Sequence, residues 1–227
     1  MRKDYNMDEI KISIIVPIYN VEKYIKRCMD SLLSQSFSGY EIIAVNDGTL
    51  DNSMNYVYEL QERFNNIIVC ERENGGLSAA RNTGMVKARG EYLLFCDSDD
   101  AIEENSLSLI YEEAKSNNLD MLLYGAKTIW EKENEKRINA YDRENITKEV
   151  LSGQGLLEEL VKKGGYRASA CMYLIRRKMV RDNNLLFMEK ILHEDELFTP
   201  IALMKAQRAA YRNWLIYRRY VREGSIT

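Results

Sequence analysis

Short, nearly continuous apolar runs alternate along the chain with longer stretches in which apolar residues recur every three or four positions. The first run, Ile12-Ser13-Ile14-Ile15-Val16, has the β-branched character of a strand covered on both faces, and Pro17 ends it. Ile25, Cys28, Met29, Leu32 and Leu33 then keep helical spacing to about Gln35. Glu41–Val45 predicts a second strand, Met54–Phe64 a second helix and Ile67–Cys70 a third strand. Ala79–Lys87 reads as a helix, and Tyr92–Cys96 as a fourth strand ending in Asp97-Ser98-Asp99-Asp100. Strand and helix in strict alternation predict a parallel sheet with right-handed crossovers.

The second half is less regular. Helices are expected at 102–117, 150–162, 178–183 and from Leu192 to about Ala206, and strands at 121–124, 169–176 and 209–220. Residues 131–148 are highly charged and almost without apolar periodicity, which predicts an exposed hairpin or loop. Residues 1–10 read as a polar tail. The rest, 11–227, reads as one domain, with halves at 11–101 and 102–227.

At 227 residues and 45% hydrophobic, the chain suits one large α/β domain. A net charge of −3 gives no general attraction to nucleic acid or to an anionic membrane. The four cysteines are far apart and form no metal-type pair, so buried thiols in a reducing compartment are expected. No leader or membrane-length apolar run is legible.

Candidate chemistry gathers at the strand ends. Open α/β sheets bind ligands outside their carboxyl edge, and the loop after Pro17 and the acidic strand ends at Asp47 and Asp97–Asp100 all fall there. Crowded carboxylates repel unless a cation sits among them, and their hard oxygens suit Mg²⁺ or Mn²⁺ bridging to phosphates. A solvated acidic turn is the competing reading. Asp47 can accept from a base N–H, Asp97 from ribose hydroxyls, and Tyr19 can face a base ring; Asp47 could equally serve a helix-capping turn. Arg81, behind Gly75-Gly76, stands near a helix start where a diphosphate could sit, or is simply solvated. His193-Glu194-Asp195-Glu196 offers a general base, or acids that favour a helix dipole. His193, the only histidine, is a candidate extra metal ligand. The basic C-terminal residues Arg218, Arg219 and Arg222, with Ser225, could fold over a diphosphate or lie solvated.

Taken together, Val16–Tyr24, Val45–Ser53, Asn74–Gly84, Phe95–Asp100, His193–Phe198 and Arg218–Ile226 resemble, in order, the motifs of family 2 glycosyltransferases. The resemblance spans nearly the whole chain; Thr49 stands where serine is more usual. It implies a GT-A fold and inverting transfer from a nucleotide-diphosphate sugar, commonly UDP-linked, to a hydroxyl of a glycan or lipid-linked acceptor. By the same resemblance, Pro17, Tyr19, Asn20, Glu22, Asp47, Arg81, Asp97 and Ser98 belong to the nucleotide site, with Glu22 supporting its loop. Asp99 takes the Mn²⁺ or Mg²⁺, Asp195 is the base with Glu194 as its orienter, and Arg219, Arg222 and Ser225 close on the diphosphate. Cell-surface polysaccharide synthesis, in the cytoplasm at the inner face of the membrane, is the implied setting. Many relatives continue into further helices, so peripheral membrane contact is expected from residues beyond Thr227. A dehalogenase-type phosphatase also places Asp-x-Asp after an apolar strand, but it leaves the Pro17–Asn20 and Asp47 motifs unexplained. A non-catalytic nucleotide-sugar binding module is the other rival.

Overall fold

The computed structural model describes residues 9–130 and 141–221. Its strands form one eight-stranded sheet in the order β3-β2-β1-β4-β7-β6-β8-β5. The first half is the doubly wound part. β1 (Ile12–Ile18) lies between β2 (Tyr40–Asn46) and β4 (Tyr92–Phe95), parallel to both, and β3 (Ile67–Glu71) extends the sheet beyond β2. Every residue of β1 is buried, as its unbroken apolar run predicts. α1 (Ile25–Leu33), α2 (Ser53–Arg63) and α3 (Leu77–Lys87) supply the crossovers. α3 lies close on β1: a Cβ on Gly84 would come within 2.4 Å of Ile15 Cγ2.

β7 (Tyr173–Arg176) pairs antiparallel with β4 and with β6 (Met121–Trp130), so one sheet continues into the second half. β8 (Ala209–Val221) runs parallel to β6, and β5 (Ala101–Ile102) pairs antiparallel with β8. The remaining helices are α4 (Ser106–Ser116), α5 (Gly153–Lys162), α6 (Arg177–Asp182) and α7 (Glu194–Lys205). Among the described residues no helix is long and apolar enough to cross a membrane.

Several expectations shift. The strand expected at 121–124 runs on to Trp130, because β8 supplies ladder partners that local polarity does not announce. The strand expected from Ser169 opens as a 3₁₀ turn, Ala170–Met172. The helix expected at 102 starts at Ser106, since Ala101 and Ile102 are strand residues against β8. α5 begins at Gly153, where the Ser152 hydroxyl accepts from the Gly155 N–H. Of the charged stretch 131–148, residues 131–140 lie outside the described residues, and Arg143 and Ile146 are buried rather than exposed. The tail at 1–10 is described only from Glu9. The four cysteines are buried free thiols.

Candidate active site

The loops at the carboxyl edge of β1, β2 and β4 are knitted together by side chains. The Asn20 N–H donates to Thr49 Oγ1 at 2.8 Å, the Glu22 N–H to Asp51 Oδ2 at 2.9 Å, and the Asn52 N–H back to Glu22 Oε2 at 3.0 Å. Asn20 accommodates the sharp exit from β1 with φ 52°. Burial alone would raise the Asp51 carboxyl. The Ser53 hydroxyl, the Glu22 N–H and Thr49 outweigh it and hold the group down at about 2.

Asp47 is buried at the end of β2. It accepts from the Gly75 N–H at 3.0 Å and the Gly76 N–H at 2.8 Å, and Arg72 Nε lies 3.2 Å away. Gly76 has φ 86°, a conformation that favours glycine, so the Gly75-Gly76 pair is what lets the backbone turn onto Asp47.

Arg81 is only 3% exposed. Because α3 starts at Leu77 rather than Ala79, Arg81 sits one turn inside the helix. One guanidinium nitrogen donates to Asp97 Oδ1 at 2.9 Å and another to Glu194, which opens α7. Burial would favour the neutral arginine, but Asp97 and Glu194 more than offset it, so the group stays charged. This ion-paired bridge excludes the solvated reading of the residue.

The acidic loop after β4 is tied to the last strand. The Tyr217 hydroxyl donates to Asp100 Oδ2 at 2.8 Å and accepts from the Asp97 N–H at 3.2 Å, while the Tyr220 N–H donates to Asp100 Oδ1 at 2.8 Å. Arg27 of α1 donates to the Asp99 carbonyl and stacks over the Tyr220 ring, 3.4 Å from its centroid. Burial first, then the charges of Asp97 and Asp99, push the Asp100 carboxyl up to about 8. Asp100, Tyr217, Tyr220 and Arg27 carry no motif signal beyond the third acid of the loop, and they bind only through tertiary contact.

A cleft of about 1320 Å³ opens over these elements. Pro17, Tyr19, Asp47, Arg81, Asp97, Ser98 and Asp99 line it from the first half, and His193, Glu194, Asp195 and Arg219 from the second. Asp99 and Asp195 therefore share one cavity. Asn20 and Glu22 do not line it and instead brace the loop behind Tyr19. Burial raises the Asp195 carboxyl above its ordinary value; Arg81 opposes the shift, while Glu194 and Asp97 add to it. Tyr166 also lines the cleft, and its hydroxyl oxygen is buried without a hydrogen-bond partner among the described residues. Its only sequence signal is a tyrosine beside the glycine pair Gly164-Gly165. His193 takes the left-handed backbone at the head of α7, with φ 57° and no side-chain cap. Among the described residues no group of three or more His, Cys, Asp or Glu side chains is set to hold a cation. Arg219 lies on β8 with its guanidinium 5.7 Å from the Tyr141 ring, while Arg222 and Ser225 fall outside the described residues.

This sheet, with acids converging on one cleft from the ends of β2 and β4 and the head of α7, defines a GT-A type nucleotide-sugar transferase architecture. The sequence signature of the family described as "Glycosyl transferase family 2" matches residues 13–182, and the chain belongs to that family. It is 39% identical over 200 residues to "Uncharacterized glycosyltransferase EpsJ" of Bacillus subtilis, covering 87% of this chain and 57% of that one. It is 31% identical over 204 residues to the "Poly(ribitol-phosphate) beta-glucosyltransferase" of Bacillus spizizenii, covering 88% and 30% of the two chains. Among solved structures, S. aureus TarS 1-349 in complex with UDP-GlcNAc superposes with a TM-score of 0.81 at 29% identity, over 95% of this chain and 60% of that one. The chain thus spans less than two thirds of the length of each of these relatives. Membership of the family leaves the phosphatase reading without support.

Proposed function

We propose that the chain transfers a sugar from a UDP-sugar to an acceptor hydroxyl with inversion at the anomeric carbon, in the synthesis of a cell-surface polymer. The observation that carries this reading is the shared cleft of Asp99 and Asp195, with Arg81 bridging Asp97 to Glu194 between them. The UDP-GlcNAc bound by TarS supports a UDP-linked hexose or N-acetylhexosamine donor, and the named activity of the poly(ribitol-phosphate) relative supports a glycan acceptor.

In this reading Pro17, Tyr19 and Asp47 take the uracil, and Asp97 and Ser98 the ribose. Asp99 holds a Mn²⁺ or Mg²⁺. The fit rests on the donor chemistry. The crowded carboxylates of the loop offer only hard oxygens; burial first, then the charges of Asp97 and Asp99, raises the Asp100 carboxyl, and a cation relieves the charge part of that cost. With no group of three or more protein ligands assembled among the described residues, the donor's phosphates and water would complete the coordination. When bound, the ion stabilises negative charge on the departing diphosphate. Arg219, which lines the cleft from β8, adds a positive charge there.

Asp195 accepts the proton of the acceptor hydroxyl as its oxygen forms the new bond to C1. The C1–O bond to the diphosphate breaks, and its electron pair leaves with UDP. A base held above the ordinary carboxylate range is better matched to an alcohol proton than a fully solvated one. Glu194, fixed by Arg81, orients the head of α7 and so aims Asp195. The test is UDP release from a panel of UDP-sugars with Mn²⁺, with GDP-mannose as control. One UDP-sugar should be turned over, and Asp195→Asn should abolish turnover while UDP still raises the melting temperature. Binding without turnover of any sugar would favour a non-catalytic binding module.

A further inference from the structure

The cleft has an apolar lip. Half of the exposed large hydrophobic side chains among the described residues fall within 186–204. In the loop before α7 the side chains alternate: Phe187 is buried, stacked on Phe198 with ring centroids 4.0 Å apart, while Leu186 and Met188 on either side are 64% and 55% exposed. Ile191 and Leu192 follow, the latter 75% exposed, and both line the cleft mouth. On α7, Leu197, Ile201 and Met204 keep helical spacing on one exposed face, while Phe198, Ala202 and Leu203 face the core. The N-terminus of α5 packs on the C-terminus of α7, where the Gly153 N–H donates to the Ala206 carbonyl at 3.0 Å. The helices also pack along their length, so the far end of α5 brings exposed Val161 to the same mouth.

Apolar residues that run from inside a cleft onto the outer surface are not explained by packing. Cations accompany them. Lys190 stands at the loop between Met188 and Ile191, Arg167 also lines the cleft, and Lys162 and Lys205 are exposed on α5 and α7. The exposed acids here are Glu158, Glu189 and Glu196. Projecting Leu, Met and Ile with Lys190 among them match the layered chemistry of a lipid surface, acyl chains below and phosphates above.

We propose that this lip, the loop 183–193 with the outer face of α7, docks on a phospholipid surface, so that the cleft opens onto the membrane and takes a lipid-linked acceptor. The acceptor half of this statement rests on the transferase reading; the docking does not. It places the membrane contact within this chain, rather than only in residues beyond Thr227.

The experiment is flotation of the purified chain with vesicles of phosphatidylcholine alone and with phosphatidylglycerol added. Wild type should float, more on the anionic vesicles. Leu186→Ser with Met188→Ser, neither of which lines the cleft, should cut the bound fraction roughly tenfold. Ile201→Ser with Met204→Ser should do the same independently. Lys190→Glu should remove the extra binding to anionic vesicles. No flotation of wild type on either vesicle, or flotation of both double variants equal to that of wild type, overturns the proposal. So does a wild-type dimer that Leu186→Ser with Met188→Ser dissolves, which would assign the patch to a second copy of the chain. UDP with Mn²⁺ should shift the melting temperature of wild type and of both double variants alike. Docking without any such shift would sink the transferase reading and leave the docking standing.

Discussion

Arg81 and Glu194 are 113 positions apart in sequence and form a buried ion pair that joins α3 of the first half to the head of α7. The same guanidinium holds Asp97 at 2.9 Å, so one residue fixes a carboxylate on each wall of the cleft. Removing one partner of such a group leaves uncompensated charge behind. Arg81→Met should lower the unfolding free energy by roughly 3–5 kcal/mol, read as a lower urea midpoint. Arg81→Lys should recover little, because a lysine cannot serve both carboxylates in the same fork.

Asp195→Asn should lower sugar transfer by roughly 10²–10⁴-fold. UDP affinity, measured by calorimetry, should stay within about twofold of wild type, because the nucleotide contacts assigned here lie elsewhere. A proportionate loss of UDP binding would remove Asp195 from the role of base.

Asp99→Ala should erase the gain in UDP affinity that Mn²⁺ provides, roughly tenfold or more, and leave metal-free UDP binding unchanged. Titrations with and without Mn²⁺ on both proteins separate the two effects. An unchanged Mn²⁺ response would move the cation away from this loop.

Asp51 gives a pH-dependent contribution with a definite sign. Its carboxyl is held at about 2 in the fold, against an ordinary value of 3.8. Its stabilisation is therefore fully present above the ordinary value and is lost as pH falls towards about 2. Asp51→Ala should cost about 1 kcal/mol at neutral pH, the usual worth of a helix-start acceptor. The gap between the two melting temperatures should narrow between about pH 4 and pH 2.

Gly153→Ala should separate α5 from α7, because the added Cβ would lie 1.9 Å from the Leu203 carbonyl oxygen. The expected loss is about 1–3 kcal/mol or more. Thermal melting reads it directly, and vesicle flotation should weaken with it.

The first half was legible in the sequence because central parallel strands are unbroken apolar runs, and because the loops after them fall at their carboxyl ends by geometry alone. Ile12–Val16 and Glu41–Val45 are found as strands, the run from Tyr92 is a strand to Phe95, one residue short of Cys96, and Asp47 and Asp97–Asp100 fall on one rim. What stayed hidden depends on contact between distant segments. Nothing local in Arg81 tells a solvated arginine from one bridging Asp97 to Glu194. The reach of Tyr217 to Asp100 depends on irregular pairing of β6 with β8, where the register shifts on either side of Gly125. Leu186, Met188 and Leu192 read as ordinary hydrophobics, and only the fold turns them outward.

The clasp of Asp100 by Tyr217 and Tyr220 has an implication for how this sequence can drift. A carboxyl shut away beside two other acids is tolerable only while those β8 donors stay in place, and because Tyr220 donates through its backbone N–H, it is the Tyr217 side chain to which Asp100 is coupled. In a randomised library selected for folding, exchange of Asp100 for an apolar residue should surface together with loss of the Tyr217 hydroxyl, and seldom alone.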